Sequence, residues 1–205
     1  MNLLRQLENL FQGEVDSEMK LVTAAQHGSR EAFDSLMRSH ESQLRGFICR
    51  RVGMGAVDDV LQETWLASWL ALPKFSRRSR FKAWLFGIAF HKSNDYHRKR
   101  GRTAQELPLH EIETAAASQD WIADAELRQT VRTLLAELPL EQREVLEMYY
   151  YAELTLAEVA QELGRSLNTV KSQFYRAHTK IAHQFDTPEA LKGGRLLVSE
   201  SRERP

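Results

Sequence analysis

The sequence predicts an all-α protein built from two small helical domains joined by a flexible linker. Three observations predict it. Apolar residues recur at helical spacing along most of the chain, clustered β-branched alternation is absent, and the periodicity fades once, between Gly101 and Gln119. Hydrophobic residues make up 42% of the 205, enough to build packed cores.

The elements follow in order. Residues 1–16 read as an N-terminal extension. A first helix over about 17–27 stops at Gly28, a suitable residue for the left-handed position after a helix. Ser29 caps a second helix to about Val52, with Phe33, Leu36, Leu44, Phe47 and Ile48 supplying its apolar positions. Gly53 to Gly55 break it. A third helix runs from about Val57 to Leu72, where Val60, Leu61, Trp65, Trp69 and Leu72 make a buried stripe before Pro73. A short basic loop, residues 74–80, leads to a fourth helix from Phe81 to about Arg100, with Phe81, Trp84, Leu85, Ile88 and Ala89 facing inward. Trp84 therefore reads as core.

The stretch 102–120 reads as a linker. Trp121 to Leu138 is predicted as a helix stopped at Pro139, and Glu141 to about Tyr151 as another. Thr155-Leu156-Ala157-Glu158 is a capping box, so a helix starts there. Gly164 ends it, and Ser166 caps a last helix to about Phe185. Residues 186–205 read as a mobile tail. The domains are thus drawn at 17–101 and 121–185.

The formal net charge is zero, but the charge is segregated. Residues 74–102 hold ten Lys/Arg against Asp95 alone. Residues 103–164 hold three Lys/Arg against thirteen Asp/Glu, and 165–185 hold four Lys/Arg and no acid. Salt screens charges beyond roughly 8 Å, so local blocks decide what binds. Two basic islands separated by an acidic stretch point to two DNA-facing surfaces. No run approaches the ~20 apolar residues of a membrane helix, and no secretion signal opens the sequence, so a cytoplasmic protein is expected. The single cysteine, Cys49, excludes an internal disulfide and reads as a small buried hydrophobe.

Residues 155–178 have the spacing of a helix-turn-helix. Leu156, Val159, Ala160 and Leu163 lie on the first helix, Gly164 makes the turn, and Val170 and Phe174 face inward on the second. The start of the second helix is then free for a major groove. Arg165, Ser166, Asn168, Thr169, Lys171, Ser172, Tyr175 and Arg176 are its candidates, polar groups reading base edges and cations anchoring phosphates.

Three blocks in the first half and three in the second resemble regions 2 and 4 of the sigma-70 family. The first are Asp58-Asp59-Val60-Leu61-Gln62-Glu63-Thr64-Trp65, Phe81 to Ala89, and Asp95-Tyr96-His97-Arg98-Lys99-Arg100. The second are Leu138 to Leu146, Thr155 to Ala160, and Thr169-Val170-Lys171-Ser172 with Arg176-Ala177. Two modules with no room for a region 3 are similar to the extracytoplasmic-function group. The resemblance implies that Asp58, Asp59, Gln62 and Glu63 dock on the clamp helices of core RNA polymerase. It implies that the basic loop and fourth helix meet the promoter minus-ten element and hold its separated strand. Phe75, Ser76, Arg77, Arg78, Ser79, Arg80, Lys82, Asn94, His97, Arg98 and Arg100 are the candidates there; cations for phosphates beside aromatics for unstacked bases suit a single strand. The last helix would read the minus-thirty-five element, although Gln173 and His178 stand where the family commonly has basic residues. The resemblance also implies an anti-sigma factor as partner.

Two rival readings come from other classes. Asp59 and Glu63, one turn apart, are candidates for a metal-dependent DNA enzyme, but no histidine is spaced to join them, no nucleophile sits beside a base, and no cofactor is expected. A helix-turn-helix regulator binding duplex DNA as a dimer accounts for the second module alone and leaves the first unexplained.

Overall fold

In the computed structural model, residues 17–101 and 133–185 are described, and every regular element among them is helical. The expected extension, the linker, the residues 121–132 and the tail lie outside the described residues. Helix α1 occupies 17–26. It is followed by α2 (Arg30–Val52), α3 (Val57–Ala71) and α4 (Phe81–Lys99). The second set holds α5 (133–136), α6 (Leu140–Tyr150), α7 (Leu156–Glu162) and α8 (Leu167–Phe185).

The boundaries have local causes. The Ser29 hydroxyl accepts from the Ala32 N–H and starts α2. Gly28 and Gly164 sit at φ +96° and +64°, where a Cβ is strained, and each reverses the chain after a helix. Helix α3 ends one residue before Leu72, because Leu72–Lys74 tighten into a 3-10 turn around Pro73. The capping box at Thr155 is complete: the Glu158 N–H donates to Thr155 Oγ1, and the Thr155 N–H donates to Glu158 Oε2 at 2.9 Å. Ser166 Oγ accepts from the Thr169 N–H at 3.1 Å and opens α8.

The first core is aromatic. Phe47, Phe81 and Phe86 are fully buried, and Phe47 meets Phe86 edge to face at 5.3 Å. Phe33 lies against both Trp65 and Trp69. Trp84 is half-buried and packs against the edge of this core, 4.9 Å from Phe75 and 5.6 Å from Phe81. Cys49 is buried, which pushes its thiol up and keeps it protonated.

Helix α4 is buried beyond a single amphipathic stripe. It packs on α2 and α3, and α7 of the second set lies against it. Val145, Met148, Ala152, Leu154, Val159, Ala160 and Val170 of the second set join the first set's residues in one continuous apolar cluster. Leu138, Leu146 and Ala177 form a smaller cluster where α6 meets α8.

Candidate polymerase and nucleic-acid interfaces

Helix α3 separates two faces. Val60, Leu61, Thr64, Trp65 and Ser68 are buried, while Asp58, Asp59, Gln62 and Glu63 are exposed. Leu66 and Leu70 are exposed as well, at 61% and 69%. With about 100° per residue, positions 59, 62, 63, 66 and 70 fall on one side of the helix. The polar candidates therefore continue into two uncovered leucines, a surface of mixed chemistry suited to a protein partner. The sequence reading did not single out these leucines; their offset from the Trp65/Trp69 stripe is the signal that distinguishes them. Asp58 is paired with Arg45 at 2.7 Å, and Glu63 lies 3.8 and 3.6 Å from Lys92 and Lys99.

The basic loop has a fixed shape. Gln26 of α1 donates from Nε2 to the carbonyls of Leu72 and Phe75, at 3.0 and 2.9 Å. Arg77 sits at φ +58° and donates to Thr23 Oγ1 and Gln26 Oε1. Ser76 and Arg78 are exposed. Two residues of the expected minus-ten set are placed inside: Phe75 is 7% exposed with its ring tilted against Trp84, and His97 is 3% exposed with Nε2 2.7 Å from the Arg51 carbonyl. They support the surface from beneath, because an aromatic ring and an imidazole at these positions complete the core and satisfy a backbone acceptor. Asn94 accepts from Arg51 at 2.7 Å and so orients a neighbour. Arg98 and Arg100 are exposed, the former paired with Asp95 at 2.9 Å, the latter over the Tyr96 ring.

Three further candidates contact the second module. Arg80 donates to both carboxylate oxygens of Glu158, the Nη2 bond at 2.7 Å. Lys82 Nζ lies 2.9 Å from Glu153, and Ser79 donates to Glu162 at 3.2 Å. Deeper in, Arg51 pairs with Glu147. The sequence showed the basic and acidic blocks, but their juxtaposition needs the tertiary arrangement.

Burial sets the carboxylates apart. It alone pushes the Glu158 carboxyl up, but hydrogen bonds from Arg80 and Thr155 outweigh it and hold the group below the usual range. Burial pushes Glu162 up, opposed by its Ser79 bond and reinforced by the charge of Glu158. Burial also pushes Glu147 up against the pull of Arg51 and Arg143.

On α8, Val170 and Ala177 are buried, whereas Ser166, Asn168, Thr169, Lys171, Tyr175 and Arg176 are exposed, Tyr175 at 62%. Ser172 is half-buried. Arg165 is tied inward to Glu144, the Glu141 carbonyl and Gln173. It clamps α6 to the start of α8. His178 accepts or donates a hydrogen bond with the Tyr150 hydroxyl at 3.0 Å, and burial pushes its imidazole down, toward the neutral form.

Two family models match the chain in the order of its modules: Sigma-70 region 2 over residues 36–103 and Sigma-70, region 4 over residues 128–181. The chain belongs to the sigma-70 family, as a sigma factor of the extracytoplasmic-function group. It is 29% identical over 177 residues to the ECF RNA polymerase sigma factor SigC of Mycobacterium tuberculosis, covering 84% of this chain and 93% of the relative. It is 26% identical over 176 residues to the ECF RNA polymerase sigma-E factor of Salmonella typhimurium, covering 80% and 92%. Among solved structures, it resembles CnrH in complex with the cytosolic domain of CnrY, with 27% identity, a TM-score of 0.61 and coverage of 84% and 99%. It also resembles the sigma factor RpoE in complex with the anti-sigma factor NepR from Bartonella quintana, with 26% identity, a TM-score of 0.58 and coverage of 80% and 98%. Both halves of this sigma factor are thereby accounted for, which the dimeric-regulator reading does not achieve. Among the described residues, no cluster of His, Cys, Asp or Glu is arranged to hold a metal ion, and no helix is long and apolar enough to cross a membrane.

Proposed function

We propose that this sigma factor docks on core RNA polymerase through α3 and reads promoter DNA with two surfaces, at 76–100 and 165–176. The observation that carries the reading is the division of α3: Asp59, Gln62 and Glu63 share one exposed side with Leu66 and Leu70. A polar rim around uncovered apolar groups fits a protein partner better than DNA. Ser76, Arg77, Arg78, Arg80, Lys82, Arg98 and Arg100 supply the cations and hydroxyls for the minus-ten strand. Asn168, Thr169, Lys171, Ser172, Tyr175 and Arg176 meet the minus-thirty-five duplex, with Ser166 at the helix start. The protein acts by binding and not by catalysis, in the cytoplasm, and is held in check by an anti-sigma factor that masks α3 or the DNA surfaces.

The test separates the surfaces. Replacing Gln62 and Leu66 by alanine should weaken retention on immobilised core polymerase by about tenfold or more, since interface hot spots cost about 2 kcal/mol or above. Replacing Arg77 and Arg78 by alanine should leave retention intact and reduce open-complex formation. Equal losses of both functions in both variants would overturn the assignment.

A further inference from the structure

Gln173 of α8 is half-buried, one turn after the exposed Thr169 and next to Ser172. At about 100° per residue it stands on the edge of the face formed by Asn168, Thr169, Ser172 and Arg176. Its amide does not turn freely. Arg165 Nη1 lies 3.3 Å from Gln173 Oε1. A guanidinium has donors and no acceptor, so the amide oxygen must face it and the amide nitrogen takes the other arm.

Arg165 is itself held from the protein side. Its Nη2 donates to Glu144, which is buried on α6, and its Nη1 also donates to the Glu141 carbonyl at 3.2 Å. Val145 and Leu146, the next residues of α6, are buried as well, so the anchor is part of the core. A guanidinium engaged by a buried carboxylate, a carbonyl and an amide faces the protein, not a phosphate. Arg165 is therefore a positioning residue, and Gln173 is the group that it positions.

The orientation limits what the amide can read. A free glutamine reads adenine with both arms, giving a hydrogen to N7 and accepting one from N6–H2. In this chain the accepting arm is turned toward α6, and only the amide N–H bonds remain for the groove. Those donors match the O6 and N7 acceptors of guanine, whereas cytosine meets them with its own donor, N4–H2. We propose that Gln173 is a specificity-determining residue of the minus-thirty-five contact, held donor-outward by Arg165 so that it selects guanine over adenine. This role rests on α8 meeting the minus-thirty-five duplex, as in the functional reading above.

Transcription by core polymerase reconstituted with the full chain tests this on a promoter library whose minus-thirty-five element is randomised, each transcript being traced to its template by a barcode. Wild type should favour guanine over adenine by about tenfold at one position of the element. Gln173→Ala should flatten the preference at that position and leave the others as they are. Arg165→Met with Glu144→Gln removes the anchor without leaving an unpaired buried charge. Adenine should then draw level with guanine at the same position. Arg165→Lys keeps a cation for Glu144 and Gln173 and should keep the guanine preference. Loss at every position together in these variants would mark a structural role and overturn the proposal. Preferences that Gln173→Ala leaves intact throughout would overturn the reading role of Gln173. An unchanged guanine preference in the Arg165 and Glu144 variant would overturn the orienting role of Arg165. A wild-type chain with no base preference anywhere in the element would overturn the functional reading of α8, and the proposal with it.

Discussion

Gln26 donates to two loop carbonyls and accepts from Arg77, so one amide on α1 fixes the path of residues 72–77. Gln26→Leu keeps the volume but leaves both carbonyls without this partner. Each lost hydrogen bond costs about 1 kcal/mol, so the melting temperature should fall by several degrees. Proteolysis near Arg77 and Arg78 should accelerate. A variant as stable and protease-resistant as wild type would show that the loop holds its own shape. His97 makes a similar point from inside the core. His97→Ala should lower stability by about 2 kcal/mol, from lost packing and an unsatisfied Arg51 carbonyl. A denaturant midpoint unchanged from wild type would return His97 to the DNA surface. Neither role is visible in sequence: Gln26 looks like any polar helical residue, and His97 sits within a basic run that invites a DNA reading.

At the scale of elements, helix starts and stops were legible because their causes are local. Ser29, Gly28, Pro73, the Thr155–Glu158 box and Gly164 act within four residues of themselves. The inward faces of α3 and α8 were legible for the same reason, since an apolar stripe reports its own burial. The extra burial of Phe86, Gly87 and Phe90 on α4 was not, because it requires several neighbouring elements at once. The capping box supports a prediction at this scale. Thr155→Ala should cost about 1 kcal/mol by removing the cap, and Thr155→Ser should restore most of it. Thermal unfolding followed by circular dichroism reads the difference; equal melting of both variants would mean that packing alone sets the start of α7. Glu158 belongs to both the cap and the contact with Arg80, so Thr155→Ala should also loosen the hold on the first module.

For the whole molecule, the pH dependence of closure, the packing of the second module on the first, follows from opposite shifts. Glu158 is held below the usual carboxylate range, so its contribution to closure is complete above that range and is lost as pH falls through the lowered value. Glu162 is raised, so its burial opposes closure once pH exceeds the raised value, and protonation relieves it. Arg80 and Ser79 face the same pair, Glu18 acts on Arg80, and their charges or hydrogen bonds enter the balance. Glu162→Gln keeps an acceptor for Ser79 without the buried charge. It should therefore strengthen closure at neutral pH, read as a smaller radius of gyration than wild type. A looser chain would reverse the sign assigned to Glu162. Charge segregation along the sequence made two DNA-facing islands legible. It did not reveal that Glu153, Glu158 and Glu162 lie against the first of them, because block charges carry no distances.

This sigma factor confers start-site choice on RNA polymerase. Run-off transcription of a genomic fragment library by purified core polymerase, with and without the chain, measures it most directly once the 5′ ends are sequenced. Addition of the chain should concentrate initiation at a subset of sites that share two upstream sequence elements, and Gln62→Ala with Leu66→Ala should abolish the concentration. Initiation sites identical with and without the chain would contradict it.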